Sequence, residues 1–431
     1  MEILSVLILV LSFLFFLGIG VPVAWSLGLS SMLTLMVTVQ TMPAITTIAQ
    51  RMGTGLDSFS LLAIPFFILA GELMNRGGIA NRLIEFAKAL TGRMRGGLLH
   101  VNIIAAMLMG AIAGSAVAAA SSMGGILGKR MEKEGYPKEL GAAVNITSST
   151  TGLIIPPSNV LIVYSLASGG VSVAALFVAG YLPGLLVGGL LMITAAIMVR
   201  VHKLPAGEGS SFKLILKTFW EAVPSLFLLI VVIGGIIGGV FTATEASAIA
   251  VVYSLVLSMI YRELKVKDLP SVLLKSAETT AVVMLLIATS MAMSWVMSSE
   301  EIPQNISNTL LGLSDNIFVI LIMINILLLV VGVFMDMTPA VLIFTPIFLP
   351  VVTALGVDPV HFGIMMVLNL CIGLCTPPVG SILFIGVGVA NTTIQKVLKP
   401  MLPFYFAMVL ALILIMLFPE ISLWLPRVFG V

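Results

Sequence analysis

Apolar and polar positions repeat along the chain, in two stretches that lie one in each half of the sequence. Each stretch has an apolar run interrupted near its middle, a polar turn, and a second apolar run broken at two adjacent prolines. The interruptions are Gly114-Ser115 in the first stretch and Asp336-Met337-Thr338 in the second. In each stretch, this pattern predicts a helical hairpin followed by a broken membrane helix.

Matched glycines and prolines place the two stretches in register. Gly110 corresponds to Gly332 and Pro137 to Pro359, and the two pairs have the same separation along the chain. Glycine and proline are frequent in membrane helices, so a single match carries little weight. Several matches in the same order indicate two related halves, and interrupted apolar segments at matching positions point to a transporter's binding site.

The parts of the two halves can be assigned along the chain. The first half is predicted to span 1–200 and the second 218–431, with a polar linker at 201–217. The hairpins are predicted at about 97–128 and 317–352, and the broken helices at about 140–166 and 360–390. Other helices of the first half are predicted at 3–19, 21–39, 58–75 and 171–199, with a polar outer loop around Arg51 and Asp57.

The composition identifies an integral membrane protein. Of the 431 residues, 59% are apolar and only 9% are charged, whereas a soluble surface needs roughly a quarter charged residues. Several apolar runs approach or exceed the roughly 20 residues that cross a bilayer as a helix. Glu2 stands where a signal peptide would carry positive charge, so we expect the run from Ile3 to Gly18 to be a retained first helix.

The distribution of Lys and Arg predicts the orientation in the membrane. Basic residues gather at 76–95, 129–138, 200–217, 262–275 and 396–399, and none occurs between Ser276 and Gln395. Because cytoplasmic loops carry excess Lys and Arg, we expect these clusters to face the cytoplasm. The acidic region from Glu300 to Asp315 is expected to face outside.

This charge distribution also predicts how the halves are related. Each interrupted run would form two half-depth helices, with the first hairpin entering from the cytoplasm and the second from outside. Five crossings in the first half then invert the second half, and both termini lie outside. The predicted fold class is an all-α polytopic membrane protein with two inverted repeats.

A helical apolar stripe precedes each hairpin. The first stripe carries basic neighbours and the second acidic ones, and their members are Ile79, Leu83, Phe86 and Leu90, and Ile302, Ile306, Leu310 and Leu313. Such stripes are typical of amphipathic helices that lie along the membrane interface. An ordinary loop helix explains the first stripe equally well.

Acidic residues near the membrane interior are candidates for function. An acid at the centre of a membrane helix costs roughly 2.5 to 3.5 kcal/mol, so Asp336 needs a compensating interaction. It could lie near a cation or the substrate, or it could cap the second hairpin helix. Ser115 can cap or coordinate in the same way. Glu245 is expected to belong to a helix start capped by Thr242 or Thr244.

The two segments with adjacent prolines are candidates for a cation site. They read NITSSTTGLIIPPSN from Asn145 to Asn159 and NLCIGLCTPPVGS from Asn369 to Ser381. Proline removes backbone donors and frees carbonyls one turn earlier, and carbonyls with hydroxyls are hard oxygen ligands suited to sodium. The alternative is a proline kink whose hydroxyls bond back to their own helix.

Enzymatic readings find little support in the sequence. GGILGKR departs from a phosphate-binding loop, and the residues around Gly114-Ser115 lack the GxSG pattern of an intramembrane serine protease. Cys371 and Cys375 lie one helical turn apart and are expected to be small buried residues. Nothing in the sequence indicates nucleic-acid binding.

At the Gly-Ser hairpin, the Pro-Pro-Ser helix, GVFTATEAS and MDMTPAVLIFTPIFLP followed by CTPPVG, the chain resembles the large membrane subunit of TRAP transporters, the DctM-like family. The resemblance covers essentially the whole length. It implies an elevator-type secondary transporter of a bacterial or archaeal inner membrane that imports an organic anion, usually a carboxylate, with sodium. It also implies a periplasmic substrate-binding protein and a separate, small four-helix membrane subunit.

The resemblance further implies two sodium sites and a substrate site. The first sodium site would use Gly114, Ser115, Ser149 and Thr150, and the second Gly332, Thr338, Thr376 and Pro377. Substrate would lie between the hairpin tips and the helix breaks, touching Ser115, Pro156, Ser158, Asp336 and Pro377. With no Lys or Arg between 276 and 395, we expect no direct cationic partner for the anion from the second half.

Other functions remain open from the sequence. A stand-alone anion transporter or antiporter of the same fold would need no binding protein. A passive channel would show flux that is independent of sodium. A hydrolase would lose its activity on Ser115→Ala.

Overall fold

A computed structural model describes residues 2–91, 94–205, 211–314 and 316–431. Every regular element of these ranges is helical, which confirms the all-α class. Eight of the described helical segments are long and apolar enough to cross a membrane. Residues 206–210 of the predicted linker, and Asp315 of the predicted outer region, lie outside the described residues.

The helices of the first half follow in chain order. They are α1 (Glu2–Gly18), α2 (Val23–Thr38), α3 (Thr41–Gly55), α4 (Ala63–Arg76), α5 (Ile79–Thr91), α6 (Gly97–Ala113), α7 (Ala116–Met123), α8 (Lys129–Lys133), α9 (Lys138–Ser149), α10 (Asn159–Ala167) and α11 (Val173–Val201). A π-helical turn at Gly124–Gly128 joins α7 to α8, and a 3-10 turn at Thr150–Leu153 ends α9.

The second half repeats this order with some changes in length. Its helices are α12 (Phe212–Ile237), α13 (Ala243–Ile260), α14 (Leu269–Ser299), α15 (Ile302–Leu313), α16 (Ile317–Phe334), α17 (Met337–Ala354), α18 (Pro359–Leu374), α19 (Ser381–Val389), α20 (Ile394–Leu417) and α21 (Glu420–Phe429). The hairpins are α6–α7 and α16–α17, and the broken helices are α9–α10 and α18–α19.

The hairpin helices are longer than the predicted half-depth pieces. Helices α16 and α17 have 18 residues each, a rise of about 27 Å against a hydrocarbon core of roughly 30 Å. Helix α7 has only 8 residues before the π-helical turn. The bounds of the second hairpin agree with the predicted 317–352, so the expectation of half-depth helices failed on depth and not on position.

A helix also occupies the segment predicted as a polar outer loop. Helix α3 buries Ala44 and Ile48 against Leu35 of α2 and Ala292 and Val296 of α14. Its polar residues face away from this contact, so the segment has an apolar face that is too short to stand out in the sequence. The loop prediction was therefore wrong for Thr41–Gly55.

Each hairpin touches its broken helix through a pair of glycines. A Cβ atom built on Gly110 would lie 1.9 Å from Cα of Gly152, and one built on Gly373 would lie 2.6 Å from Cα of Gly332. These pairs are equivalent in the repeat. They show why glycine recurs at these positions: a Cβ would overlap the facing backbone at Gly110 and Gly373, and at Gly332 it would make a tight contact at 3.2 Å.

Buried polar pairs join the same helices. Ser148 donates to the side-chain oxygen of Asn102 at 3.2 Å, which links α9 to α6. Asn369 donates to the side-chain oxygen of Asn325 at 2.7 Å, which links α18 to α16. Since bilayer hydrocarbon offers no alternative partner, these bonds favour one packing of each hairpin on its broken helix.

The helices pack in two groups. The framework group consists of α1 to α4 and α12 to α14, and the core group of α6 to α11 and α16 to α21. The amphipathic helices α5 and α15 bridge them, since α5 contacts α12 and α6, and α15 contacts α14 and α17. Ile79 and Leu83 of the predicted stripe on α5 are fully buried, whereas Leu90 is 48% exposed.

Candidate functional site

A cavity of about 550 Å³ lies where the hairpin tips meet the helix breaks. Its walls also include α4 and α14 of the framework group, so it lies between the two helix groups. Polar or charged side chains on this wall are Glu72, Asn75, Ser115, Ser121, Ser122, Asn159, Lys275, Thr279, Asp336, Thr338 and Ser381. The cavity thus joins elements from both halves of the sequence.

Four helices begin at this cavity. Their first residues, Ala116 of α7, Asn159 of α10, Met337 of α17 and Ser381 of α19, all line its wall. The first backbone N–H groups of a helix have no intrahelical acceptor, and the helix dipole places partial positive charge there. The four helix starts therefore contribute positive partial charge to the cavity, and the carboxylates of Glu72 and Asp336 lie on the same wall.

The tip of the first hairpin combines a left-handed glycine with a capping serine. Gly114 has φ +58° and lies beside the carbonyl of Pro157 and the side chain of Asn159. The Ser115 hydroxyl accepts from the backbone N–H of Ala118 at 3.3 Å and so caps α7. The predicted capping role of Ser115 is confirmed, and both tip residues line the cavity.

The tip of the second hairpin differs in one respect. Asp336 occupies the N-cap position of α17, but its side chain makes no capping hydrogen bond. It is exposed on the cavity wall, together with the half-buried Thr338. The carboxylate nevertheless interacts with the backbone N–H of Met337, the first residue of α17, so it lies at both the helix start and the cavity.

At the first break, hydroxyl groups bond back to their own helix. Ser149 donates to the carbonyl of Asn145 at 2.5 Å and Thr150 to that of Thr147 at 2.8 Å. Ser158 donates to the carbonyl of Leu153 at 2.6 Å. A hydroxyl whose hydrogen is committed in this way keeps its oxygen lone pairs for another partner.

The second break repeats this arrangement. Thr376 donates to the carbonyl of Ile372 at 2.7 Å. Gly332 packs on Gly373 one turn before the break. The peptide bond between the paired prolines is cis in both breaks.

Several predicted substrate residues lie outside the cavity wall. Pro156 and Ser158 are buried, and Pro377 is half-buried, but none of the three lines the cavity. Of the predicted set, Ser115 and Asp336 line it. Of the predicted sodium residues, Gly114, Ser115 and Thr338 line the cavity. The others do not, and they are Ser149, Thr150, Gly332, Thr376 and Pro377.

The two broken helices pack against each other through the cysteines. Cys371 donates to the carbonyl of Thr150 at 3.5 Å and Cys375 to that of Ile146 at 3.6 Å. Tyr405 of α20 donates to the carbonyl of Cys375. The cysteines are free and buried, as predicted, and they occupy carbonyls of the opposite half.

Asn159 and Ser381 were not singled out from the sequence, although they end the two candidate segments. They are repeat-equivalent, each is the first residue of the helix after a break, and each has a buried side-chain oxygen without a hydrogen-bond partner. Their separation equals that of Gly110 and Gly332, a signal that was available in the sequence. Both oxygens can serve a bound ligand.

Glu245 lies in the capping box that was predicted. Thr242 caps the backbone N–H of Glu245 at 3.2 Å, and the Glu245 carboxylate accepts from the Thr242 backbone N–H at 2.8 Å. Thr244 instead donates to the carbonyl of Phe59. Glu245 does not line the cavity, and the capping box places it at the start of α13.

Comparisons with known proteins extend over nearly the whole chain. The family model described as "Tripartite ATP-independent periplasmic transporter, DctM component" matches residues 10–421. The protein YgiK of Salmonella typhimurium is 53% identical over 425 residues, which cover 99% of this chain and 98% of YgiK. The C4-dicarboxylate TRAP transporter large permease protein DctM of Rhodobacter capsulatus is 39% identical over 425 residues, with coverage of 95% and 96%.

Two further comparisons concern substrate and fold. The sialic acid TRAP transporter large permease protein SiaM of Vibrio cholerae is 37% identical, over 95% of this chain and 96% of its own. The crystal structure of the Alcanivorax borkumensis YdaH transporter has a TM-score of 0.67 and covers 90% of each chain. At 14% identity, this last similarity concerns the fold alone.

Proposed function

Since the chain belongs to the DctM component family of the tripartite ATP-independent periplasmic transporters, as a large permease subunit, we propose that it imports an organic anion of the carboxylate class together with sodium. The observation that carries this proposal is the convergence of four helix N-termini on one cavity. Discontinuous helices aim their N-termini at anionic substrate groups in other transporters.

The cavity suits a small anion. Its volume of about 550 Å³ falls within the roughly 300 to 1,000 Å³ of small-molecule sites. Relatives are named for C4-dicarboxylate, 2,3-diketo-L-gulonate and sialic acid. These three are carboxylates of different size, whereas another relative is named for isethionate, a sulfonate. The group common to all four is therefore an anionic oxygen group, which the four N-termini can bind.

Sodium coupling is supported by the hydroxyls at the breaks. Ser149, Thr150 and Thr376 commit their hydrogens to carbonyls of their own helices, which leaves oxygen lone pairs for a hard cation. We assign one sodium site to Gly114, Ser115, Ser149 and Thr150. The second site comprises Gly332, Thr338, Thr376 and Pro377.

The division into two helix groups supports an elevator movement as part of this proposal. The hairpins and broken helices, which hold the cation and anion sites, belong to the core group. The framework group provides the opposite wall of the cavity through α4 and α14. Movement of the core group as a unit along this wall would expose the same site to each side of the membrane in turn.

The subunit is proposed to work in a bacterial inner membrane with two partners. A periplasmic binding protein would deliver the anion, and a small four-helix membrane subunit would complete the transporter. Following the distribution of Lys and Arg, we place the linker and helix α5 in the cytoplasm and both termini outside.

Uptake in proteoliposomes tests this function. Vesicles containing the chain and its small partner are supplied with radiolabelled succinate, 2,3-diketo-L-gulonate or sialic acid, with and without the binding protein and an inward sodium gradient. We expect uptake of at least one of these anions that requires both additions. Uptake that ignores both would overturn the proposal.

A further inference from the structure

The described part of the cavity wall carries one basic side chain, that of Lys275. It lies on α14, one residue before the segment 276–395 that contains no Lys or Arg. The expectation that the second half offers the anion no direct cationic partner rested on that segment, and it did not consider Lys275, which precedes the segment and lines the cavity. Lys275 belongs to neither a hairpin nor a broken helix, so the function proposed above gives it no role.

The direction of Lys275 is fixed by its helix. Lys275, Thr279 and Val283 all line the cavity, and residues four apart lie above one another on one helix face. Val283 is the deepest of the three along α14, and Lys275 is the nearest to the helix start. Lys275 therefore stands at one end of the cavity.

That end is the cytoplasmic one in the proposed orientation. The cavity wall also includes Glu72 and Asn75 near the end of α4, and this end lies beside the start of α14, since Arg76 donates to Ser271 at 2.7 Å. Helix α4 ends in the basic cluster at 76–95, and α14 begins in the cluster at 262–275. Both helices thus meet the cavity mouth on the side where basic residues gather.

The Lys275 ammonium is free to receive an anion. Glu72, the acid on the facing helix, is already paired with Arg76 at 2.9 Å, and Arg76 also donates to Ser271 at 2.7 Å. Among the described residues, no carboxylate lies within 4 Å of the Lys275 nitrogen. A hydrogen bond between an ammonium and a carboxylate is stronger than one between neutral groups.

We propose that Lys275 binds the carboxylate of the substrate at the cytoplasmic mouth, and so sets the affinity for the anion on that face alone. This inference rests on the proposed import of an anion. Lys275 belongs to the framework group, whereas the hairpin tips belong to the core group. The substrate therefore contacts Lys275 only when the core group has the position seen in this structure, in which the ends of α4 and α14 border the cavity.

The test compares the two faces of the membrane. Right-side-out vesicles supplied with binding protein, and inside-out vesicles, are prepared from cells that express the chain with its partners. The probe is whichever of succinate, 2,3-diketo-L-gulonate and sialic acid the wild type takes up. Half-saturation is measured for each face by exchange against the radiolabelled anion.

We expect Lys275→Gln to raise the half-saturation concentration on the cytoplasmic face about tenfold and to leave the outer face unchanged. Lys275→Arg should retain most of the wild-type affinity. Lys267→Gln removes a charge from the same basic cluster outside the cavity and should change neither face. Thermal unfolding midpoints confirm that the variants are folded.

Three outcomes would overturn the inference: an unchanged cytoplasmic value in Lys275→Gln, an equal change on both faces, or an equal effect of Lys267→Gln. A lysine that only extends its ammonium into the cytoplasm would give the first result. Failure of the proposed function is distinct, because it appears in the wild type as uptake without sodium dependence. Exchange of the anion itself needs no sodium gradient and still reports on Lys275.

Discussion

Substituting alanine for the paired glycines of the two halves should have very unequal effects. Gly110 and Gly332 are equivalent in the repeat, and each packs on a glycine of its broken helix. In Gly110→Ala the new Cβ would lie 1.9 Å from Cα of Gly152, whereas in Gly332→Ala it would lie 3.2 Å from Cα of Gly373. The same mutation therefore tests two different clearances.

The expected magnitudes follow from these distances. A backbone atom cannot rotate away, so α6 must separate from the break by more than about 1 Å in Gly110→Ala, which we expect to cost at least about 2 to 3 kcal/mol. In Gly332→Ala a shift of a few tenths of an ångström is enough, at a cost of about 1 kcal/mol or less. The lower conformational entropy of unfolded alanine offsets part of either cost.

Thermal unfolding with a thiol-reactive dye measures the difference. Cys371 and Cys375 are the only cysteines and both are buried, so the dye reports exposure of the core. We expect the midpoint to fall by about 2 to 6 °C in Gly110→Ala and by no more than about 2 °C in Gly332→Ala. Gly189→Ala is the control, because no atom lies within 4 Å of its added Cβ.

Equal losses at Gly110 and Gly332, or a wild-type midpoint for Gly110→Ala, would refute the reasoning. Either result would mean that the backbones of α6 and the 3-10 turn are not held at the distance seen here. A loss in the Gly189 control as large as that at Gly110 would show a general intolerance of alanine, rather than a close contact.

Two further predictions concern the polar groups. Ser149→Ala and Thr338→Ala should each raise the sodium concentration for half-maximal uptake while leaving the unfolding midpoint near wild type; unchanged sodium activation in both removes them from the sites. Asn369→Leu should lower the free energy of unfolding by about 1 kcal/mol or more, because it leaves the side-chain oxygen of Asn325 buried without its donor. Replacing both asparagines by leucine should recover part of that loss, and a fully additive loss would contradict the pairing.

The prediction of the fold from sequence succeeded where the signal was local. The apolar runs, the interruptions at Gly114 and Asp336 and the double prolines were visible as residue types at fixed spacing, and each marks a feature of the structure. Helix α3 was missed because its apolar face is short. The bounds of the second hairpin were close to those predicted, but the half-depth expectation failed because helices of 18 residues are nearly as long as the hydrocarbon core is thick.

The candidate site was likewise predicted only in part from the sequence. The hairpin tips were identified from the sequence, and the structure places both of them at the cavity. Pro156 and Ser158 were assigned to substrate because they lie in the break, yet their side chains are buried behind the wall. A break in a helix does not tell which of its residues face the ligand.

The sequence by itself determined a duplicated membrane protein with two hairpins and two broken helices. Glycine, proline and apolar periodicity shape the backbone locally, so their effects can be predicted from neighbouring residues. Only the tertiary structure decided that four helix N-termini share one cavity and that Lys275 stands at its mouth. These arrangements join residues that are distant in the sequence, and their proximity depends on how the helices pack. No local pattern carries that information.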